Sequence, residues 1–173
     1  MDLKNKKIVV LVEHHYQDME VWYPVFRLRE AGAKVLLVGT GSAESYVGKY
    51  GYPATVDKSA DKIKSTMIHG LVIPGGWAPD KLRMSEAVLG LVRDMNRAKK
   101  PIACICHGGW VLASAGVVRG RTVTSYEAIK DDLINAGANW QDKETVVDGN
   151  LVTARKPDDL PAFMREFIQL LQK

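Results

Sequence analysis

The sequence predicts one α/β domain, a mostly parallel sheet with helices on both faces, and three observations lead there. Short β-branched runs alternate along the chain with longer segments of helical period. The runs are apolar at successive positions, as strands covered on two sides must be. A chain of 173 residues, 46% hydrophobic and 25% charged, is long enough to bury one sizeable core and leaves little room for a second domain.

Taken in order, residues 8–12, 35–38, 71–73, 102–105, 122–124, 146–147 and 151–153 read as strands. The first helix is expected from about residue 19 to 31, stopping at Gly32, with Val21, Trp22, Val25 and Leu28 as its apolar stripe. Pro24 fits such a helix only near its first turn. Further helices are expected over 85–98, 109–115, 126–135 and 160–171, and residues 46–57, with Gly48 and Gly51, read as an inserted hairpin. No repeat, low-complexity tract or Pro/Ser-rich linker interrupts the pattern.

The formal charge of +4 comes from 24 Lys and Arg scattered among 20 Asp and Glu, which describes a solvated mixed surface and not a nucleic-acid face. The first apolar run ends at Glu13-His14-His15, too soon for a signal peptide or a membrane span, so a cytoplasmic protein is expected. Cys104 and Cys106 are too close in sequence for a good structural disulfide and are read as reduced thiols.

Open parallel sheets bind ligands beyond the carboxyl ends of their strands. Three segments lie there: residues 13–20, Pro74-Gly75-Gly76, and Cys106-His107-Gly108-Gly109. The last passes from a buried strand into a helix with almost no loop, which is the logic of a nucleophile elbow. Small residues are needed on both sides of such a turn; Gly108 supplies one and Cys104 the other. At the first turn of a helix Cys106 faces unpaired N–H groups and the positive end of the helix dipole, so a depressed thiol pKa is expected. His107 is a candidate general acid or base, although adjacent residues in a turn seldom align thiol and imidazole. Gly75 and Gly76 offer unshielded backbone N–H donors for an oxyanion. Asp18 reads as a helix cap. Glu20, if it faces the thiol, would be driven toward its protonated form and donate a hydrogen bond to sulfur. His14, His15 and His69 lack the spacing a metal site needs.

The segments Asp18-Met-Glu20-Val-Trp-Tyr-Pro24, Ile73-Pro-Gly-Gly-Trp-Ala-Pro-Asp80, Ile105-Cys-His-Gly-Gly109 in register with the elbow, Thr124-Ser-Tyr126, Asp131-Asp-Leu-Ile-Asn-Ala-Gly137 and Val147-Asp-Gly-Asn150 together resemble the PfpI branch of the DJ-1/PfpI superfamily. The resemblance spans nearly the whole chain. It implies a flavodoxin-like three-layer sandwich, similar to class I glutamine amidotransferases. It further implies Cys106 as nucleophile, His107 as its partner, Glu20 as the carboxyl on sulfur, Gly75 and Gly76 as oxyanion donors and Tyr126 lining the pocket. In that branch the residue matching Asp80 reaches the histidine of a neighbouring subunit, so a homo-oligomer, dimer or larger, is implied. Gln17 stands where relatives usually have Glu, Asp80 is one methylene shorter than the usual Glu, and Lys156 replaces a common histidine. No metal or other cofactor, membrane or specific nucleic-acid partner is implied.

Family activities define the readings. The first is a stress-protective enzyme acting through a thiolate on reactive carbonyls or on glycated protein and nucleotide adducts, as a glutathione-independent glyoxalase or a deglycase. An intracellular cysteine peptidase ranks second, because it needs a stronger base and an extended cleft. A redox sensor or holdase with an oxidised Cys106 is a third, non-catalytic reading.

Overall fold

The apolar runs pair with one another at the centre of the molecule. A computed structural model describes residues 2–173. Its elements are β1 (Lys7–Leu11), α1 (Asp18–Glu30), β2 (Lys34–Gly39), β3 (Ser45–Val47), β4 (Pro53–Thr55), β5 (Lys58–Ser59), β6 (Gly70–Ile73), α2 (Ala78–Leu82), α3 (Glu86–Arg97), β7 (Ile102–Ile105), α4 (Gly109–Ala115), β8 (Thr122–Val123), α5 (Lys130–Asn135), β9 (Asn139–Trp140), β10 (Thr145–Asp148), β11 (Leu151–Ala154) and α6 (Leu160–Gln172). Seven strands form one sheet in the order β10-β11-β7-β6-β1-β2-β5. Every pairing is parallel except that of β10 with β11.

This order explains why the central runs carry no polar alternation. Strands β6 and β7 are buried at all positions and β1 at all but Lys7, because helices cover both faces. Helix α1 packs with α6 and α3 with α4, giving the three-layer arrangement the sequence predicts. Strand β7, which carries Cys104 and leads to Cys106, lies between β6 and β11 near the middle of the sheet. Among the described residues no helix is long and apolar enough to cross a membrane.

Several boundaries depart from expectation for local reasons. Pro24 lies inside α1 and is buried, beyond the first turn to which the sequence confines it. Its missing N–H leaves the carbonyl of Glu20, four residues back, without a helical donor. The expected strand at 122–124 does not join the main sheet; β8 pairs with β9 in a separate two-stranded ladder. The expected helix over 126–135 is a 3₁₀ turn, Glu127–Ile129, followed by α5. Short helix α2, with Pro79 in its first turn, falls in a stretch that carries no helical period long enough to read.

The inserted hairpin forms as β3 and β4, and its turn is fastened to the start of α1. Lys49 N–H donates to the Tyr16 carbonyl at 2.8 Å and His15 N–H to the Val47 carbonyl at 2.8 Å. Asp18 is not the cap of α1. Its two carboxylate oxygens accept the N–H groups of Tyr50 at 2.9 Å and Tyr52 at 3.1 Å. The capping role passes to Gln17, whose side-chain oxygen accepts Met19 N–H at 2.9 Å.

Replacing Asp18 with Ala orphans two turn amides at once. Asp18→Ala is expected to cost about 2 kcal/mol in urea unfolding, and to speed hydrogen exchange at the Tyr50 and Tyr52 amides above all others.

Candidate active site

The chain leaves β7 through a residue with a backbone conformation that L-residues avoid. Cys106 has φ of 60°, at a cost of about 1–2 kcal/mol, and opens a single 3₁₀ turn, Cys106–Gly108, that runs straight into α4. Strained placement of this kind projects the side chain off the strand end. Behind it, a Cβ added at Gly108 would meet the Cys104 sulfur at 2.9 Å and the Ile73 carbonyl at 2.9 Å. Cys104 is therefore the packing residue that the sequence assigns, and burial pushes its thiol pKa well up.

Three elements converge on the Cys106 sulfur. From α1, the buried Glu20 brings its carboxyl against the thiol. From the end of β6, Gly75 and Gly76 close the other side. Gly75 permits the approach: a Cβ there would meet Cys106 Cβ and Glu20 Oε2, each at 2.7 Å. Gly76 has φ of 73° and pairs in an isolated bridge with Tyr16. From α4's preceding turn, the Cys106 sulfur lies 3.3 Å from His107 Nδ1. The adjacent histidine thus does reach the thiol, against the expectation drawn from i, i+1 spacing.

The two glycine amides divide their work differently from the sequence reading. Gly75 N–H donates to Glu20 Oε2 at 2.7 Å, so it holds the carboxyl instead of standing open for an oxyanion. Gly76 N–H points at the Cys106 sulfur, and its companion there is the backbone N–H of His107. The His107 amide is the donor that sequence reasoning missed; any residue following a nucleophile in an elbow is positioned to supply it.

Electrostatics follow from burial. Desolvation lifts the Glu20 carboxyl to about 7, against the pull of the Gly75 amide. Its other oxygen, Oε1, has no hydrogen-bond donor among the described residues. Desolvation and the neighbouring Glu20 carboxylate push the Cys106 thiol up to about 12, with the His107 and Gly76 amides pulling the other way. The depressed pKa expected from the helix end is therefore overturned, because burial beside a carboxylate outweighs the dipole of a short helix. The buried pair accommodates one negative charge. A thiolate forms when its proton passes to Glu20, an uphill and transient transfer that leaves the charge of the site unchanged and converts the carboxyl into a donor.

His107 sits among aromatic rings. Tyr126 stacks on it at 5.0 Å between centroids, Trp110 meets it edge-on at 5.2 Å, and Trp77 lies at 5.9 Å. Burial and the charge of Lys49 lower its pKa while Asp80 opposes them, so the imidazole is neutral near pH 7. Asp80 is exposed and, among the described residues, its carboxylate has no ion-pair partner within the chain. Lys156 is half exposed and pairs with Asp158 at 3.3 Å, outside this cluster. Trp77 and Trp110 were also legible in principle, since Gly-Gly-Trp follows both β6 and the nucleophile turn.

The sequence and the fold have known counterparts. Residues 6–170 match the model of the DJ-1/PfpI family. A deglycase of Pyrococcus horikoshii is 46% identical over 166 residues, covering 96% of this chain and 99% of its own. A protein/nucleic acid deglycase of Escherichia coli is 41% identical, covering 96% of this chain and 98% of its own. Among solved structures, a two-domain protein of Anabaena variabilis with DJ-1/ThiJ/PfpI-like and ferritin-like domains superposes with a TM-score of 0.94 at 36% identity. This chain spans 96% of its own length in that match and 50% of the other protein.

Two outcomes follow for Glu20→Gln, which keeps the acceptor for Gly75 N–H. Removing the carboxylate takes away a contribution that raises the thiol, so the pH profile of Cys106 labelling by iodoacetamide moves to lower pH than in wild type. The stability effect has the opposite sense to a salt-bridged acid. A carboxyl raised to about 7 from 4.5 favours the fold below pH 4.5, and that contribution is lost as pH climbs to 7. Glu20→Gln is thus expected to be more stable than wild type above pH 7, by on the order of 3 kcal/mol in urea unfolding, with the gap closing toward acid.

Proposed function

The chain belongs to the DJ-1/PfpI family, and we propose that it is a cysteine-dependent enzyme acting on reactive carbonyl compounds, as a glutathione-independent glyoxalase or a deglycase of glyoxal and methylglyoxal adducts. The observation that carries the proposal is the buried Glu20–Cys106 pair with His107 Nδ1 at 3.3 Å from the sulfur. It supplies a nucleophile, a proton store and a second acid-base group around one atom. The names of the two deglycases at 46% and 41% identity support the same class of substrate.

The chemistry needs no redox partner. Cys106 passes its proton to Glu20 and the thiolate attacks the aldehyde carbon of methylglyoxal. The carbonyl electron pair moves to oxygen, Glu20 returns the proton there, and a hemithioacetal results. Neutral His107 then takes the proton from the former aldehyde carbon and delivers it to the neighbouring carbonyl carbon, while Glu20 carries the hydroxyl proton of the hemithioacetal across to the ketone oxygen, leaving a hydroxy-thioester. Water cleaves the thioester to lactate and frees the thiol, so methylglyoxal plus water gives lactate and a proton. For a deglycase the thiolate attacks the carbinol carbon of the adduct, the C–N bond breaks, the departing amine takes the proton held by Glu20, and the same hemithioacetal results. Gly76 and His107 N–H steady the sulfur anion before attack, and Tyr126, Trp77 and Trp110 hold the imidazole ring. In this reading the enzyme works as a homo-oligomer, with the exposed Asp80 reaching the partner subunit's His107.

Methylglyoxal consumption measured on wild type and variants tests the proposal. Cys106→Ala is expected to abolish it and His107→Ala to lower it about 10²-fold. Consumption by Cys106→Ala at the wild-type rate would refute the nucleophile. Casein cleavage by wild type alone would favour a peptidase, and protection of an aggregating client by all variants a holdase.

A further inference from the structure

The end of the sheet opposite Cys106 holds a cavity of about 710 Å³. It is built from residues that precede strands: Lys6 before β1, His69 before β6, Lys99 and Lys100 before β7, Arg121 before β8 and Asn150 before β11. With four residues in β7 and about 3.3 Å per residue, it lies some ~13 Å or more from the nucleophile turn. It therefore belongs to no part of the site described above.

Its charge is one-sided. None of the lining side chains is acidic. Arg121 is held from behind, with Nε 3.2 Å from Asp148 Oδ1 and Nη1 donating to Asn96 Oδ1 at 3.3 Å. Lys100 Nζ donates to the carbonyls of Ser65 at 2.7 Å and Ile68 at 2.8 Å, which fix the ammonium group without neutralising it. Lys6 and Lys99 form no ion pair among the described residues. Lys99 also takes φ of 53° just past the end of α3, a position where glycine is the unstrained choice. The chain keeps a cation there instead.

One member of the lining is a neutral donor. His69 Nδ1 accepts Lys7 N–H at 3.0 Å, so the neutral ring carries its proton on Nε2. Burial and the charges of Lys6, Lys100 and Lys7 lower the pKa of the ring, with the Lys7 amide opposing them. A histidine crowded by cations, with its acceptor nitrogen occupied, suits an anion that brings the missing negative charge.

We infer that this cavity binds a phosphate-bearing small anion, with Lys6, Lys99 and Lys100 as its charge partners and His69 Nε2–H as a directed donor. Arg121, already paired, shapes the wall. The volume is in the range of small-ligand pockets and well above that of a single water. The inference does not depend on the carbonyl chemistry at the other end of the sheet.

Inorganic pyrophosphate is the probe. Calorimetric titration of the full chain at neutral pH and physiological ionic strength is expected to give saturable binding to one site. Bound pyrophosphate is expected to raise the His69 pKa, read from its ring resonances by NMR, because a nearby anion favours the imidazolium. The double substitution Lys6→Gln and Lys99→Gln, at side chains that hold no part of the fold, is expected to weaken binding by about tenfold or more. Iodoacetamide labelling of Cys106 in that variant stays as in wild type, which separates this cavity from the thiol site. Absence of saturable binding, an unmoved His69 titration, or equal affinity in the double variant would each overturn the inference and leave these lysines as solvated strand and helix ends.

Discussion

The carboxyl of Glu20 is confined between the Gly75 amide and the Cys106 sulfur, and a buried acid in that position tolerates one negative charge shared with the thiol. The local structure serves this confinement. Residue 75 has to be glycine, because any Cβ would occupy the space of both partners. Gly76 then turns with positive φ so that its amide faces sulfur while Tyr16 pairs with its backbone. Pro24 removes the helical donor that Glu20's carbonyl would otherwise receive, at the point of α1 nearest the site. The strained φ of Cys106 completes the geometry by bringing the thiol up to meet a carboxyl from a different element. Such costs are borne by the core around them, where β6 and β7 are buried from end to end.

The alternation of apolar runs and helical segments made the sheet, the helical layers and the hairpin legible, because burial on two faces leaves a direct mark on composition. The cysteine turn was legible for the same reason: a fully apolar strand followed by Gly-Gly leaves one place for a nucleophile. What sequence could not carry was the balance of opposing effects at a point. A helix end lowers a thiol pKa and burial beside a carboxylate raises it, and only coordinates say which is larger at Cys106. The capping role passed from Asp18 to Gln17 on similar grounds. Both can cap a helix, but the β3–β4 turn presents two amides to Asp18 from residues more than thirty positions away. The division of labour between Gly75 and Gly76 likewise depends on which amide meets Glu20 first.

The two ends of the sheet are electrostatically unlike. At the carboxyl end the acid groups Glu20, Asp80 and Cys106 gather around a neutral histidine, with Lys49 as the opposing charge. At the amino end cations gather around another neutral histidine, His69. Parallel strands make this separation available, since every strand enters from one side and leaves from the other. Apart from the antiparallel β10, whose end shares a turn with the start of β11, residues before the strands of the main sheet and residues after them lie at opposite ends. The net charge of +4 is the sum of these unlike ends and describes neither.

The thiol's high pKa also bears on which electrophiles suit the site. A thiolate of high pKa is intrinsically the stronger nucleophile, with a Brønsted coefficient of about 0.4–0.5, but it is present only while Glu20 holds the proton. An aldehyde needs little beyond that brief exposure, because the oxygen that gains the electron pair can recover the same proton from Glu20. An amide needs more: a tetrahedral oxyanion must be held while a poor leaving group departs, and the Gly75 amide is already committed to Glu20. His107, neutral near pH 7 and fixed by three aromatic rings, is matched to moving a proton between adjacent carbons. On the function proposed above, the acid-base balance of the pocket suits small reactive carbonyls better than peptide bonds.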